Sequence, residues 1–164
     1  MSLQGWTIET PVAPWSVVVD GETVVASGFS GLEDLVARLP DADVKRTVAS
    51  GPVADAIRAY LAGDVDALDA VLVSQAGGAF QHEAWSAMRQ IPPGQTWSYA
   101  ELATKAGRPT ATRAAGTACA RNMVAPFVPC HRVVRSDGSL GGYAYGLRVK
   151  RWLLAHEASA APLG

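Results

Sequence analysis

Two rhythms of apolar and polar positions divide this chain. The first 75 or so residues carry short β-branched runs. Trp6-Thr7-Ile8 is one; Trp15-Ser16-Val17-Val18-Val19 and Thr23-Val24-Val25-Ala26 are two more, on either side of Asp20-Gly21, a pair that signals a tight hairpin. The spacing then turns helical. Leu32, Leu35, Val36 and Leu39 share one face of a helix expected from Gly31 to Leu39, with Pro40 as its stop. Val53, Ala56, Ile57, Tyr60 and Leu61 predict a second helix over Val53–Leu61. Asp64 to Asp69 reads as an acidic loop, and Val71-Leu72-Val73 as either a strand or the end of a helix.

After Gly77-Gly78 the pattern is helical almost throughout. Phe80, Ala84, Met88 and Ile91 predict a helix over 79–90, ended by Pro92-Pro93-Gly94. Ser98 followed by Glu101 is a capping box that starts a helix running to about Ala106, where Gly107 and Pro109 stop it. Thr110 is expected to cap a third helix, 111–121, so that the pair resembles a helix-turn-helix. That third helix is rich in small residues (Ala111, Ala114, Ala115, Gly116, Ala118, Ala120), which let its backbone approach either a neighbouring helix or a nucleic-acid groove. Arg113, in its first turn, opposes the helix dipole. Ser136-Asp137-Gly138-Ser139 predicts a small hairpin between Val133-Val134 and Leu140. Gly141 to Gly146 is a glycine-bracketed loop with two tyrosines. The last helix is expected from Leu147 to Ala158, with Val149, Trp152, Leu153 and His156 inward and Lys150 and Arg151 outward. The fold class is therefore an N-terminal α/β domain, 1–77, with a small antiparallel sheet and helices, followed by a mainly α domain, 78–164, with a helix-turn-helix.

Composition narrows the class without naming a function. Of 164 residues, 49% are hydrophobic and 18% charged, which is globular, and no apolar run approaches a membrane span. The N-terminus lacks the basic and apolar regions of a signal peptide, so a cytoplasmic location is expected. Two cysteines (Cys119, Cys130) and three scattered histidines (His82, His131, His156) form no metal-ligand spacing, so no metal is expected. Charge is more informative. Residues 1–97 hold 5 basic and 12 acidic side chains, and residues 98–164 hold 9 basic and 3 acidic ones. A balance of -7 followed by +6 points the C-terminal half toward a polyanion, or the two halves toward each other.

Candidate chemistry gathers at Pro129-Cys130-His131-Arg132-Val133-Val134, where a thiol and an imidazole stand side by side between apolar flanks. A free cysteine is mostly protonated at neutral pH and needs a base; a carboxylate behind the imidazole fixes its tautomer. Glu157, at a helix C-terminus where the dipole disfavours it, is the candidate carboxylate. Such a set suits a cysteine hydrolase or an alkyl- or acyl-accepting cysteine. The basic half and the helix-turn-helix favour chemistry on nucleic acid, which requires flipping a base out of the duplex.

These residues resemble the O6-alkylguanine-DNA alkyltransferases, also called methylated-DNA–protein-cysteine methyltransferases. The resemblance covers about residues 78–158. It rests on Phe80-Gln81, Ile91 to Tyr99, Ala114-Ala115-Gly116, Arg121-Asn122, Pro129 to Val133 and Trp152-Leu153-Leu154-Ala155-His156-Glu157. It implies single-turnover repair, with the alkyl group of O6-alkylguanine, and of O4-alkylthymine, passing to Cys130 without any cofactor. His131 would act as base through a water, oriented by Glu157. Tyr99 would rotate the target phosphate and donate to the leaving guanine; Arg113 would replace the flipped base. Asn122 would brace the cysteine turn, and the carbonyls of Cys130 and Val133 would read the guanine amine. Thr110, Ala114, Ala115, Gly116 and Arg121 would join Tyr99 and Arg113 against the minor groove of double-stranded DNA. Pro129, Met123, Val133, Tyr143, Ala144 and Tyr145 would wall the pocket. A protein that is monomeric without DNA, and nucleoid-associated when acting, is implied.

The chain departs from the family in three places. Met123-Val124-Ala125-Pro126 rearranges the prolines after Asn122, Ala144 stands where some members have a hydroxyl, and Tyr145 stands where glycine is frequent. A non-catalytic relative would lack the cysteine, and a gene-regulating one would carry an added domain.

Overall fold

The computed structural model describes residues 2–160. Met1 and the last four residues of the expected second domain lie outside them. Contacts divide the chain into two compact units, Met1–Gln75 with Met123–Phe127, and Ala76–Asn122 with Val128–Gly164.

The first unit is built on a five-stranded sheet, in the order β4-β1-β2-β3-β5. β1 (Leu3–Ile8), β2 (Trp15–Asp20) and β3 (Thr23–Gly28) form the expected antiparallel meander, with Gly21 at φ 63° in the turn. β4 (Val44–Arg46) and β5 (Leu72–Val73) add to its two edges in parallel, so the sheet is mixed. Parallel neighbours need crossovers. α1 (Leu32–Ala37) and α2 (Pro52–Leu61) supply them, on the stretches where helical spacing predicts helices. Trp15 is fully buried; its ring packs on Phe29, Tyr60 and Phe127, and its indole N–H donates to Ser27 Oγ at 2.9 Å.

Met123–Phe127 belongs to this unit. The Ser27 amide donates to the Met123 carbonyl at 2.8 Å, and the Met123 side chain packs beside Leu3, Val18, Ala26, Leu32 and Leu35. Met123 is thus a partly buried side chain packed on the core of the first unit rather than the expected pocket wall.

The second unit is mainly helical: α3 (Ala79–Met88), α4 (Tyr99–Lys105), α5 (Thr112–Ala120) and α6 (Leu147–Ala160). The capping box is present in both directions, Glu101 N–H to Ser98 Oγ at 3.0 Å and Ser98 N–H to Glu101 Oε1 at 3.1 Å. Gly107 ends α4 at φ 93°. α4 packs against α5, and α3 against both; the Trp85 indole, buried on α3, donates to the Ala118 carbonyl at 2.9 Å.

Three expectations are corrected here. Thr110 is not the cap of α5; Ala111 is, without a side-chain bond. Val133-Val134 (β7) forms no hairpin with Leu140. It pairs in parallel with Trp97-Ser98 (β6), while Asp137-Gly138 makes only a local turn, closed by Arg135 N–H to the Ser139 carbonyl at 2.9 Å. On α6 the buried positions are Val149, Lys150, Leu153 and Glu157. Lys150 therefore points inward, and Trp152 and His156, stacked on each other at 4.8 Å, are only half-buried.

Candidate functional site

Cys130, His131 and Arg132 occupy a single 3₁₀ turn between Pro129 and β7, and all three side chains are buried. So short a turn carries three polar side chains: Cys130 meets Asn122, while His131 and Arg132 share Glu157. The Cys130 Sγ accepts a hydrogen bond from Asn122 Nδ2 at 3.3 Å, and the same amide donates to the Val128 carbonyl at 2.8 Å. Asn122 thus ties the chain just before the turn to the nucleophile on it.

His131 turns the other way. Its Nε2 lies 2.8 Å from Glu157 Oε2 on α6. Arg132 holds the same carboxylate in a two-point grip, Nε to Oε1 at 2.8 Å and Nη2 to Oε2 at 3.0 Å, and Nη1 donates to the Ile91 carbonyl at 2.8 Å. Glu157 is fully buried. Burial alone would raise its pKa; the facing His131 and Arg132 outweigh that and hold it below the usual carboxylate range. For His131, burial dominates and lowers the pKa, with Glu157 only partly opposing it.

The protonation pattern follows from this. The carboxylate stays ionised because a guanidinium already compensates it. An ionised carboxylate accepts only, so His131 Nε2 carries the proton and Nδ1 is left as a bare acceptor. Nδ1 is buried and has no hydrogen-bond partner among the described residues. A neutral imidazole with an unpartnered lone pair, on the residue that follows the thiol, can serve as a base through an intervening water. The Cys130 thiol needs one: burial raises its pKa, and the Asn122 hydrogen bond and the charge of Lys150 offset that only in part.

Cys130 lines a cavity of about 520 Å³, within the range of small-molecule sites. The cavity is also lined by Tyr99, Gly116, Cys119, Gly142, Tyr143 and Ala144. Tyr99 is the first residue of α4, placed there by the capping box. Burial raises its pKa, and the thiols of Cys119 and Cys130 raise it further, so the phenol keeps its proton. Gly141 has φ 72°, and a Cβ built there would lie 2.8 Å from the Tyr99 hydroxyl; loop and phenol meet only because that residue is glycine. Cys119 is half-buried, and burial pushes its thiol far above the ordinary range.

The expected site residues separate into those the structure brings together and those it does not. Asn122 bonds Cys130 and His131 bonds Glu157, two pairs joined by the adjacent residues of one turn, and Tyr99, Tyr143 and Ala144 share the cavity with Cys130. Pro129, Val133 and Tyr145 are not among the described lining residues; Tyr145 packs edge-on against Tyr143, ring centroids 5.7 Å apart. On α5, Arg113 and Ala114 are exposed and Gly116 is half-buried, as the helical repeat dictates. Ala115 and Ala118, three residues apart, are fully buried against the neighbouring helices, so Ala115 is not the DNA-facing surface expected of it. Arg121 and Thr110 are exposed.

Two residues escaped the sequence reading. The sequence shows Arg132 only as part of the cysteine motif, and helical spacing predicts Lys150 on the outer face of α6, where the structure buries it. Among the described residues no group of three His, Cys, Asp or Glu is arranged to hold a metal, and no helix is long and apolar enough to cross a membrane.

A family model described as the 6-O-methylguanine DNA methyltransferase DNA-binding domain matches residues 79–159. A methylated-DNA–protein-cysteine methyltransferase of Shigella flexneri is 36% identical over 158 residues, 92% of each chain. The crystal structure of the Mycobacterium tuberculosis O6-methylguanine methyltransferase superposes with a TM-score of 0.82 at 31% identity, covering 99% of this chain and 96% of that one. A structure of the M. tuberculosis protein in complex with DNA gives 0.79 at 34% identity, covering 98% and 96%. Identity above 30% along nearly the whole length, together with a buried Cys130-His131-Glu157 set, makes this chain a member of the methylated-DNA–protein-cysteine methyltransferase family.

Proposed function

We propose that the protein repairs DNA by moving the alkyl group of O6-alkylguanine onto Cys130, once per molecule. The observation that carries this reading is the thiol lining a cavity of about 520 Å³ with a buried Arg132-Glu157-His131 chain behind it. Three of its four side chains lie on one turn, which supports a function centred on a single sulfur.

In this mechanism His131 Nδ1 takes the Cys130 proton through one water, and Glu157 stabilises the imidazolium. The thiolate attacks the alkyl carbon in line; the new C–S bond forms as the carbon–O6 bond breaks, and the electron pair leaves on the guanine. Tyr99 hydrogen-bonds or protonates the departing base. The thioether is stable, so no step regenerates the thiol and no cofactor is required. O4-alkylthymine presents the same alkyl–oxygen bond and is a second substrate.

The base reaches the thiol by flipping out of the duplex. The exposed side of α5, with Thr112, Arg113, Ala114, Thr117 and Arg121, offers small residues and positive charge to a minor groove. Minor-groove readout distinguishes little beyond A·T from G·C, which suits repair in any sequence. The DNA complex of the M. tuberculosis relative supports DNA as the partner. Without DNA the protein is a monomer in the cytoplasm, and it joins the nucleoid when it acts.

Mass spectrometry after mixing with a duplex bearing one O6-methylguanine tests this. A gain of one methyl on the Cys130 peptide, absent in Cys130→Ser, is expected. Binding of the duplex without that gain overturns the proposal.

A further inference from the structure

Lys150 is the most unusual group in the molecule that this mechanism leaves unused. Its side chain is fully buried on α6, and its ammonium donates to three backbone carbonyls: Val133 at 2.8 Å, Gly142 at 3.2 Å, and Leu140. An ammonium has three N–H donors and no acceptor, so these carbonyls use all of them. Among the described residues no carboxylate pairs with it. Placing a cation in the interior is costly unless its donors are satisfied, and an apolar side chain would fill the same helix position without that cost.

The three carbonyls explain what the charge accomplishes. Val133 directly follows the turn of Cys130, His131 and Arg132. Leu140 and Gly142 bracket Gly141, the start of the loop that carries Tyr143 and Ala144 along the cavity. One side chain therefore joins the strand that follows Cys130 to the loop that borders the cavity. Within that loop no strand pairing does so, because β7 pairs with β6 instead.

We propose that Lys150 is a positioning residue for alkyl transfer: it tethers the Leu140–Gly146 loop to the strand behind Cys130, holding the cavity in its reactive shape. The proposal rests on the functional reading above. The Val133 carbonyl keeps a second lone pair for a base amine, so the tether and a bound guanine are compatible. The charge of the ammonium also lowers the Cys130 pKa against the larger effect of burial.

Full-length Lys150→Met is the test, with two readouts. Single-turnover transfer over a range of O6-methylguanine duplex concentrations separates the rate at saturation from the affinity. Hydrogen exchange reads the amides of Leu140–Gly146. The saturating rate is expected to fall about 100-fold, the scale of a small misplacement of reacting groups, with affinity for undamaged duplex unchanged. Protection is expected to be lost in the loop alone. Lys150→Arg, which keeps charge and donors, is expected to recover most of the rate. Should Lys150→Met fail to fold, Lys150→Gln carries the same comparison against Lys150→Arg.

An unchanged saturating rate, unchanged loop exchange, or a rate that falls only with the folded fraction overturns the tether. A wild type that gains no methyl overturns the functional reading instead, and the exchange of the loop still decides the tether.

Discussion

Arg132 and Glu157 meet through two nearly parallel hydrogen bonds, of 2.8 and 3.0 Å, with both side chains withdrawn from solvent. Removing one member of a buried pair leaves the other charge uncompensated. Arg132→Met is therefore expected to destabilise the protein by about 3–5 kcal/mol in urea unfolding. Glu157→Gln removes the charge that stabilises the imidazolium and leaves one acceptor oxygen where His131 and Arg132 use two, and is expected to slow methyl transfer by about 10²–10⁴-fold in single-turnover assays. A Glu157→Gln protein with wild-type rate would refute the relay.

His131 makes stability depend on pH in a definite direction. Its pKa in the fold lies below the ordinary 6.5, so between those two values the unfolded chain binds a proton that the folded one refuses. Stability is thus fully present above pH 6.5 and declines as the pH falls below it, by at most about 1.4 kcal/mol per pH unit from one group. Glu157, whose pKa is also depressed, adds a further loss only below its ordinary 4.5. Urea titrations from pH 8 to 5 are expected to show the first decline, and His131→Gln to flatten it.

Asn122 serves a backbone carbonyl and a thiol with one amide group. Asn122→Ala strands the buried Val128 carbonyl and is expected to cost about 1–3 kcal/mol of stability. It also takes away the only side-chain donor acting on the Cys130 sulfur among the described residues. Alkylation of Cys130 by iodoacetamide is accordingly expected to need a higher pH in this variant than in the wild type.

Tyr145 acts on the cavity through Tyr143. Its ring stands edge-on to that of Tyr143, which lines the cavity. Large O6 substituents need Tyr143 to give way. Tyr145→Gly is expected to speed inactivation by O6-benzylguanine while leaving methyl transfer little changed. Equal benzyl rates in the two proteins would remove Tyr145 from the account of substrate size.

Much of this architecture follows from local patterns. The β1–β3 meander, α1, α2 and the Ser98-Glu101 capping box are short-range features, and residues within a turn of each other specify them. β4, β5 and β6 have only two or three residues each, and the parallel pairing of β6 with β7 joins segments more than thirty residues apart. No periodicity can develop in so few positions. Cys130, His131 and Glu157 were legible because the motif names them. Lys150 was not: helical spacing treats lysine as an outward residue, and the acceptors that allow it inside are backbone carbonyls, which carry no sequence signature. Met123 departs from its expected place for a related reason. A methionine beside Asn122 reads as part of the same site, whereas its backbone is taken up by Ser27 of the first unit.

The concealment of Cys130 bears on how long each molecule stays useful. A protein that reacts once is lost to whichever electrophile or oxidant reaches its sulfur first. Only 7% of Cys130 is exposed, and burial keeps the thiol protonated. Soluble alkylating agents and peroxides, which attack thiolates, therefore find a poor target. An idle molecule thus keeps its single turnover in reserve.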